Sequence, residues 1–204
     1  MPPIPELEAI RKKQILEAGL TAISQRGSAN VTMDDICNAA NLSKGGLAHY
    51  YRSKKELFKA VFQYFFERIF QRSEATMAQF DHPLDQVLSF DWLYNRDDPT
   101  VNVGYPLLFD IMAISVHDTE YRQIFHDWIC SWVGLLKEAL ERGVAKGLFT
   151  GLDDPEAIAR TISGIYQGVA ARWYLDPEAH SRQWAVSSFQ KAIRGLLLPH
   201  MSSQ

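Results

Sequence analysis

The chain has 204 residues, 47% of them hydrophobic and 22% charged, with a formal net charge of −3. That is enough for one large domain or two small ones, and the composition is that of a soluble globular protein rather than a disordered or fibrous one. Its two cysteines, Cys37 and Cys130, are isolated thiols without a C-x-x-C pair, which excludes a disulfide framework or zinc knuckle and fits a reduced, cytoplasmic chain.

No metal or other cofactor is expected, since His117 and His126 stand nine apart without a third ligand. The opening MPPIPELEAIRKKQ has no apolar core after its first charges, and no uncharged apolar run nears the ~20 residues of a membrane span, so neither secretion nor a membrane is expected. The sequons at Asn30 and Asn41 are chance matches in such a chain. Charge is unevenly spread: residues 1–59 hold nine Lys/Arg against six Asp/Glu, net +3, which leaves −6 on the remainder. A basic head on an acidic body suits a protein that offers one end to phosphates.

Taken in chain order, nearly every segment has helical periodicity and none alternates long enough for a sheet, so the fold is expected to be all-α. Ile15, Ala18, Gly19, Ala22 and Ile23 mark one buried face of a first helix, Glu6 to Arg26, ended by Gly27 in left-handed geometry. Thr32 caps a second, short helix whose Asp34 and Asp35 favour the positive helix end; Asn41, tolerant of left-handed backbone, stops it. Ser43 caps a third short helix with Leu47 and Tyr51 on one face, and Ser53-Lys54-Lys55-Glu56 is a capping box opening a long fourth.

Further on, His82-Pro83 opens a helix to about Tyr94, Asn95 to Thr100 forms a loop, and Tyr105-Pro106 marks a kink or fresh start with Leu107 to Val116 helical. Asp118-Thr119 restarts the chain toward Lys146, Gly147 to Leu152 turns, and Asp153/Asp154-Pro155-Glu156 starts a penultimate helix. Asp176-Pro177-Glu178 repeats that device before a last helix from about Ala179 to Leu198.

Two short helices joined by a tight turn have the geometry of a helix-turn-helix, whose second helix enters the major groove with its first residues nearest the bases. Ser43 to Tyr50 occupies that place. Ser43 at a free helix start attracts a phosphate, Lys44 adds charge, and Gly45-Gly46 removes bulk at a cost of roughly 1 kcal/mol of helix propensity each, which close approach to DNA would offset. His49 and Tyr50 face away from Leu47, where they can reach DNA, and Lys54 clamps a further phosphate at the next helix start. With Thr32 as the cap of the supporting helix, these are the candidate DNA-binding residues.

The run TMDDICNAANLSKGGLAHYYRSKKELF, Thr32 to Phe58, resembles the TetR-family signature T-x-x-x-I-A-x-x-A-G-V-S-K-G-x-x-Y-x-Y-F-x-S-K-x-x-L. It departs at Cys37 (usually Ala), Asn41 (usually Gly), Gly46 (often Thr or small) and Ala48 (often aromatic). Gly46 and Ala48 remove side chains that commonly contact DNA and leave more of the readout to Lys44, His49 and Tyr50.

The resemblance implies a DNA-binding domain over 1–52 and an effector-binding, dimerising domain over 53–204, and not an enzyme. It also implies a homodimer on a palindromic double-stranded operator, acting as a repressor that a small, largely apolar or aromatic effector releases. Trp92, Phe109, Met112, Trp128, Trp132, Tyr166 and Trp173 are its candidate pocket lining, with Gln167 or Arg172 as polar anchor. Ile158, Ile162, Ile165 and Val169 with Phe189, Ile193 and Leu197 are the candidate dimer stripes. The rival reading is a helical small-molecule-binding protein or enzyme with a vestigial helix-turn-helix; against it, the chain has no G-x-S-x-G, H-E-x-x-H or G-x-x-x-x-G-K-[ST] motif.

Overall fold

The computed structural model describes residues 5–201, and among these it contains nine α-helices and no strand beyond a single bridge between Phe149 and Met201. Helix α1, Pro5–Arg26, ends at Gly27 as expected. Gly27 has φ 74° and ψ 148°, so it swings the chain into a mirror-extended conformation open only to glycine rather than into the left-handed helical one. The short helices α2, Met33–Ala39, and α3, Lys44–Tyr50, and the long α4, Lys54–Met77, follow in their expected places.

The middle of the chain differs from expectation in three places. Helix α5, Pro83–Leu88, stops six residues short of Tyr94: the Ser89 hydroxyl donates to the Gln86 carbonyl at 2.8 Å, competing with the next helical turn, and a 3-10 turn over Phe90–Tyr94 follows. Helix α6, Pro99–Ser115, starts where a loop was expected and runs through Pro106; Pro99 is its first residue, and Asp98 caps it by accepting from the Thr100 amide at 2.9 Å. After α7, Thr119–Ala145, and α8, Pro155–Leu175 with Asp154 as cap, Asp176 opens a turn rather than a helix. Its amide still donates to the Arg172 carbonyl of α8, and Ser181 instead caps α9, Arg182–Leu197.

The chain forms two compact units: one comprises residues 1–68 and 102–126, the other 69–101 and 127–204. In the first, Ile15, Ile23, Ile36, Leu47, Leu57, Val61 and Phe62 make a core with Leu107 and Ile111, all at most 1% exposed. Helices α1 and α4 touch so closely that a Cβ on Gly19 would lie 2.6 Å from Val61 Cγ2. Polar contacts add to this core. The Asp110 carboxylate accepts from the Ser28 amide at 2.6 Å, and Lys55 and Lys59 pair with Asp118 and Glu120 at 2.6–2.8 Å. Phe62 meets Tyr121 edge-on at 5.9 Å, and burial pushes the Tyr121 phenol up to about 12.

The second unit is built around aromatic rings. Phe90 meets Trp132 at 4.7 Å and Tyr166 at 5.5 Å, Tyr166 meets Phe189 at 4.9 Å, and Tyr94 packs on Phe189 and Trp173 at 5.3 and 5.7 Å. The two phenols are satisfied internally, Tyr166 donating to the Val87 carbonyl at 2.7 Å and Tyr94 to that of Tyr166 at 3.4 Å. Burial raises the Tyr166 phenol well above its ordinary range, so it stays a donor.

This nucleus changes the assignment of several residues. Of the expected dimer stripes, Ile162, Phe189, Ile193 and Leu197 are 0% exposed within the single chain and have no area left for a partner. Ile158, Ile165 and Val169 remain half-buried. Phe189→Ala should destabilise the protein by about 3–5 kcal/mol, as loss of a fully packed ring does, measured by urea unfolding followed through Trp fluorescence.

Candidate nucleic-acid interface

Seven residues make too short a helix to persist alone, so α2 depends on how its ends are satisfied. Thr32 Oγ1 accepts from the Asp35 amide at 3.2 Å while the Asp35 carboxylate takes the Thr32 amide and hydroxyl, each at 2.7 Å. Arg26 binds the other Asp35 oxygen at 3.1 Å. The Thr32 hydroxyl and amide, followed by the Arg26 guanidinium, hold the Asp35 carboxyl down to about 2.

The turn is a full Schellman motif: the Leu42 amide donates to the Cys37 carbonyl at 2.9 Å and the Asn41 amide to that of Asn38 at 3.2 Å. Asn41, at φ 53°, is the one non-glycine among the described residues with positive φ, as its side chain allows. Ser43 then caps α3, its Oγ accepting from the Gly46 amide at 3.0 Å. Ile36, Cys37 and Leu47 point inward, whereas Ser43, Lys44, Gly45, Ala48 and His49 are exposed and Gly46 and Tyr50 half-buried. The two glycines have different neighbours. A Cβ on Gly45 would meet nothing within 4 Å, whereas one on Gly46 would come within 3.3 Å of the Ser43 cap oxygen.

Of the eight candidate DNA residues, Thr32, Ser43, Lys44, Gly45 and His49 are exposed and Gly46, Tyr50 and Lys54 half-buried, and their partners were only partly foreseen. Lys44 Nζ binds Asp34 at 2.7 Å, a pair between exposed groups that raises the lysine's affinity for its proton. The sequence reading gave Asp34 only a role at the helix start. His49 and Tyr50 meet edge-on at 5.1 Å, and the half-buried Lys54 lies over the Phe58 ring at 5.0 Å, which fixes its position. Ser53 caps α4 at the Glu56 amide, 3.1 Å, but Glu56 returns to the amide of Arg52 at 2.8 Å, one residue before the cap.

Of the candidate effector residues, Phe109 and Met112 belong to the first unit, and Trp92, Trp128, Trp132, Tyr166, Gln167, Arg172 and Trp173 to the second. Trp132, Tyr166 and Trp173, at most 5% exposed, are engaged in the aromatic nucleus and are core. Trp128 is half-buried, and Trp92 lies under the Arg72 guanidinium at 3.8 Å. Trp92 Nε1 and Gln167 Nε2 are buried donors with no acceptor among the described residues.

Residues 15–61 match the model of bacterial regulatory proteins of the tetR family, and residues 102–198 match that of the BetI-type transcriptional repressor C-terminal region. The chain belongs to the TetR family of transcriptional regulators. It is 25% identical over 182 residues to the HTH-type transcriptional regulator CymR of Pseudomonas putida, covering 83% of each chain. It is also 25% identical over 180 residues to the HTH-type transcriptional repressor KstR2 of Mycolicibacterium smegmatis, covering 85% of this chain and 83% of that one. A crystal structure of a TetR-family regulator from a Rhodococcus species superimposes with a TM-score of 0.80 at 24% identity, over 92% of this chain and 98% of that one. Like its relatives, this TetR-family chain is a DNA-binding transcriptional regulator with an N-terminal helix-turn-helix and a helical C-terminal part.

Two outcomes follow for this TetR-family helix-turn-helix. Gly45→Ala should stabilise α3 by about 0.5–1 kcal/mol, since the methyl meets nothing, while weakening DNA binding at the surface it roughens; thermal melts and gel shifts read the two effects separately. Asp35 is depressed in the folded state, so its contribution to stability is complete above its ordinary value of 3.8 and disappears as pH falls toward about 2. Asp35→Ala should thus destabilise at pH 6 and approach the wild type at pH 2, a convergence that urea unfolding at both pH values checks.

Proposed function

We propose that this regulator is a homodimeric repressor that binds a palindromic double-stranded operator and leaves it when a small, largely apolar or aromatic effector binds. The observation that carries the reading is α3 itself: a helix with a free, Ser43-capped start, bare at Gly45 and flanked by Lys44, His49 and Tyr50, mounted by Leu47 on a rigid core. We divide the chain by function after residue 52, with DNA reading before it and effector binding and dimerisation after. Among the described residues no helix is long and apolar enough to cross a membrane.

The faces of α8 and α9 turned away from the aromatic nucleus support the dimer. On α8 they carry the half-buried Ile158, Ile165 and Val169 beside Gly164 and Gly168, where a Cβ would meet nothing within 4 Å, so another helix could approach closely. On α9 a groove of about 580 Å³ runs from Arg182 to Arg194 past Val186 and Gln190. For the effector, the buried donors Trp92 Nε1 and Gln167 Nε2 favour a molecule with an acceptor atom on an otherwise apolar frame. Release follows from linkage: two α3 helices fit successive major grooves only at a spacing of ~34 Å, and an effector that binds a differently spaced state more tightly lowers operator affinity by the same factor.

Gel shifts on the DNA upstream of the gene, run over a series of salt concentrations, test this function. A sequence-preferring complex of two chains per site, weakening steeply with salt, is expected, and its absence would refute the repressor. Lys44→Ala should reduce affinity several-fold and make the salt slope shallower by about 1 per protomer; an unchanged slope would remove Lys44 from the contact set.

A further inference from the structure

Helix α2 opens on two acids with different tasks. Asp35 is structural: its carboxylate takes the amide and hydroxyl of Thr32, each at 2.7 Å, and the Arg26 guanidinium at 3.1 Å. Asp34 takes no part in that cap. Its side chain is 57% exposed, and its Oδ2 accepts from Nζ of Lys44, ten residues on, at 2.7 Å. Lys44 is the first residue of α3 and is followed by Gly45, where even a Cβ would meet nothing within 4 Å. A carboxylate therefore stands one hydrogen bond from the start of the helix that enters the major groove. An ion pair between side chains this exposed adds little to stability. The geometry of α2 and α3 is fixed without it, by the Asn41 turn and the buried Ile36 and Leu47. Next to a polyanion, an acceptor-only group is repelled unless a donor answers it. Phosphate oxygens cannot answer. In the major groove the donors are the N4 amino group of cytosine and the N6 amino group of adenine.

We propose that Asp34 is a specificity-determining residue, whose carboxylate accepts from the N4 amino group of a cytosine in the major groove while Lys44 holds it in place. The inference rests on the DNA-binding reading above. Cytosine is the partner because adenine sets its acceptor N7 beside the amino group, against the second carboxylate oxygen, whereas cytosine presents a donor alone. The Lys44 ammonium has three N–H donors, of which one goes to Asp34 and the others serve a phosphate, so the lysine bridges carboxylate and DNA backbone. Where no cytosine stands, the carboxylate faces acceptors only. Asp34 thus lowers affinity for unrelated DNA and sharpens the choice of operator.

The test measures binding of the full chain at fixed salt by fluorescence anisotropy. The duplexes are the upstream site that the wild type binds, the same site with each base pair replaced in turn, and one of arbitrary sequence. The wild type should lose about tenfold on replacement of one C·G pair in each half-site, and Asp34→Ala should no longer distinguish that position. The other positions should give the same profile in both proteins, and Asp34→Ala should bind the arbitrary duplex several-fold more tightly. Asp34→Asn should move the preference at that position to adenine, since a side-chain amide pairs with adenine N6 and N7 together. Thermal melts of both variants should match the wild type, because the side chain is exposed. An Asp34→Ala profile identical to the wild type's at every position would overturn the proposal. So would a change confined to an A·T pair, which would make adenine the partner, or uniform weakening with a lowered melting temperature, which would make Asp34 structural. A wild type that does not prefer its upstream DNA overturns the DNA-binding reading itself, and this is seen before any variant is compared.

Discussion

Helices of seven residues do not hold their shape in water, and the DNA-reading end of this protein consists of two of them. Their persistence rests on saturating the backbone groups that such short helices leave unpaired. Thr32 and Asp35 close the start of α2, the Asn41 Schellman turn closes its end, and Ser43 closes the start of α3. Ile36 and Leu47 then seat the pair on α1 and α4, whose close approach depends on Gly19 having no side chain. With the ends satisfied and two side chains anchored, the exposed face is free of structural duty. That is why α3 can carry two glycines where a self-supporting helix could not.

The C-terminal unit solves a different problem. Its rings fill a nucleus in which every phenol has a backbone acceptor, which makes the aromatic surplus of the sequence first a matter of packing. Other polar groups stand outside the nucleus: among the described residues the indole N–H of Trp92 and Nε2 of Gln167 are buried without acceptors, and the outer faces of α8 and α9 carry glycines and half-buried aliphatic side chains. An unanswered buried donor is costly to keep and becomes favourable once a ligand answers it.

What was legible in the sequence was local. Caps at Thr32, Ser43, Ser53, Asp154 and the turn at Asn41 act through hydrogen bonds within a few residues, and all were placed correctly. Misreadings came where two local signals compete: Pro99 reads equally as loop or as first helical residue, and Asp176 as an N-cap or as the end of α8. Long-range facts left no sequence signal. Nothing in the spacing of Phe189, Ile193 and Leu197 distinguishes a stripe facing its own core from one facing a partner, and the Asp34–Lys44 pair needs the turn geometry to be seen.

The carboxylate of Asp110 on the Ser28 amide, and those of Asp118 and Glu120 on Lys55 and Lys59, bind the head to chain made about sixty to eighty residues later. The residues that read DNA are therefore not finished when they leave the ribosome. Their unit closes only when residues up to 126 have been synthesised, and until then Phe62 lacks the Tyr121 ring it packs against. A regulator made this way gains its grip on DNA late, when the segments that complete its head have also arrived.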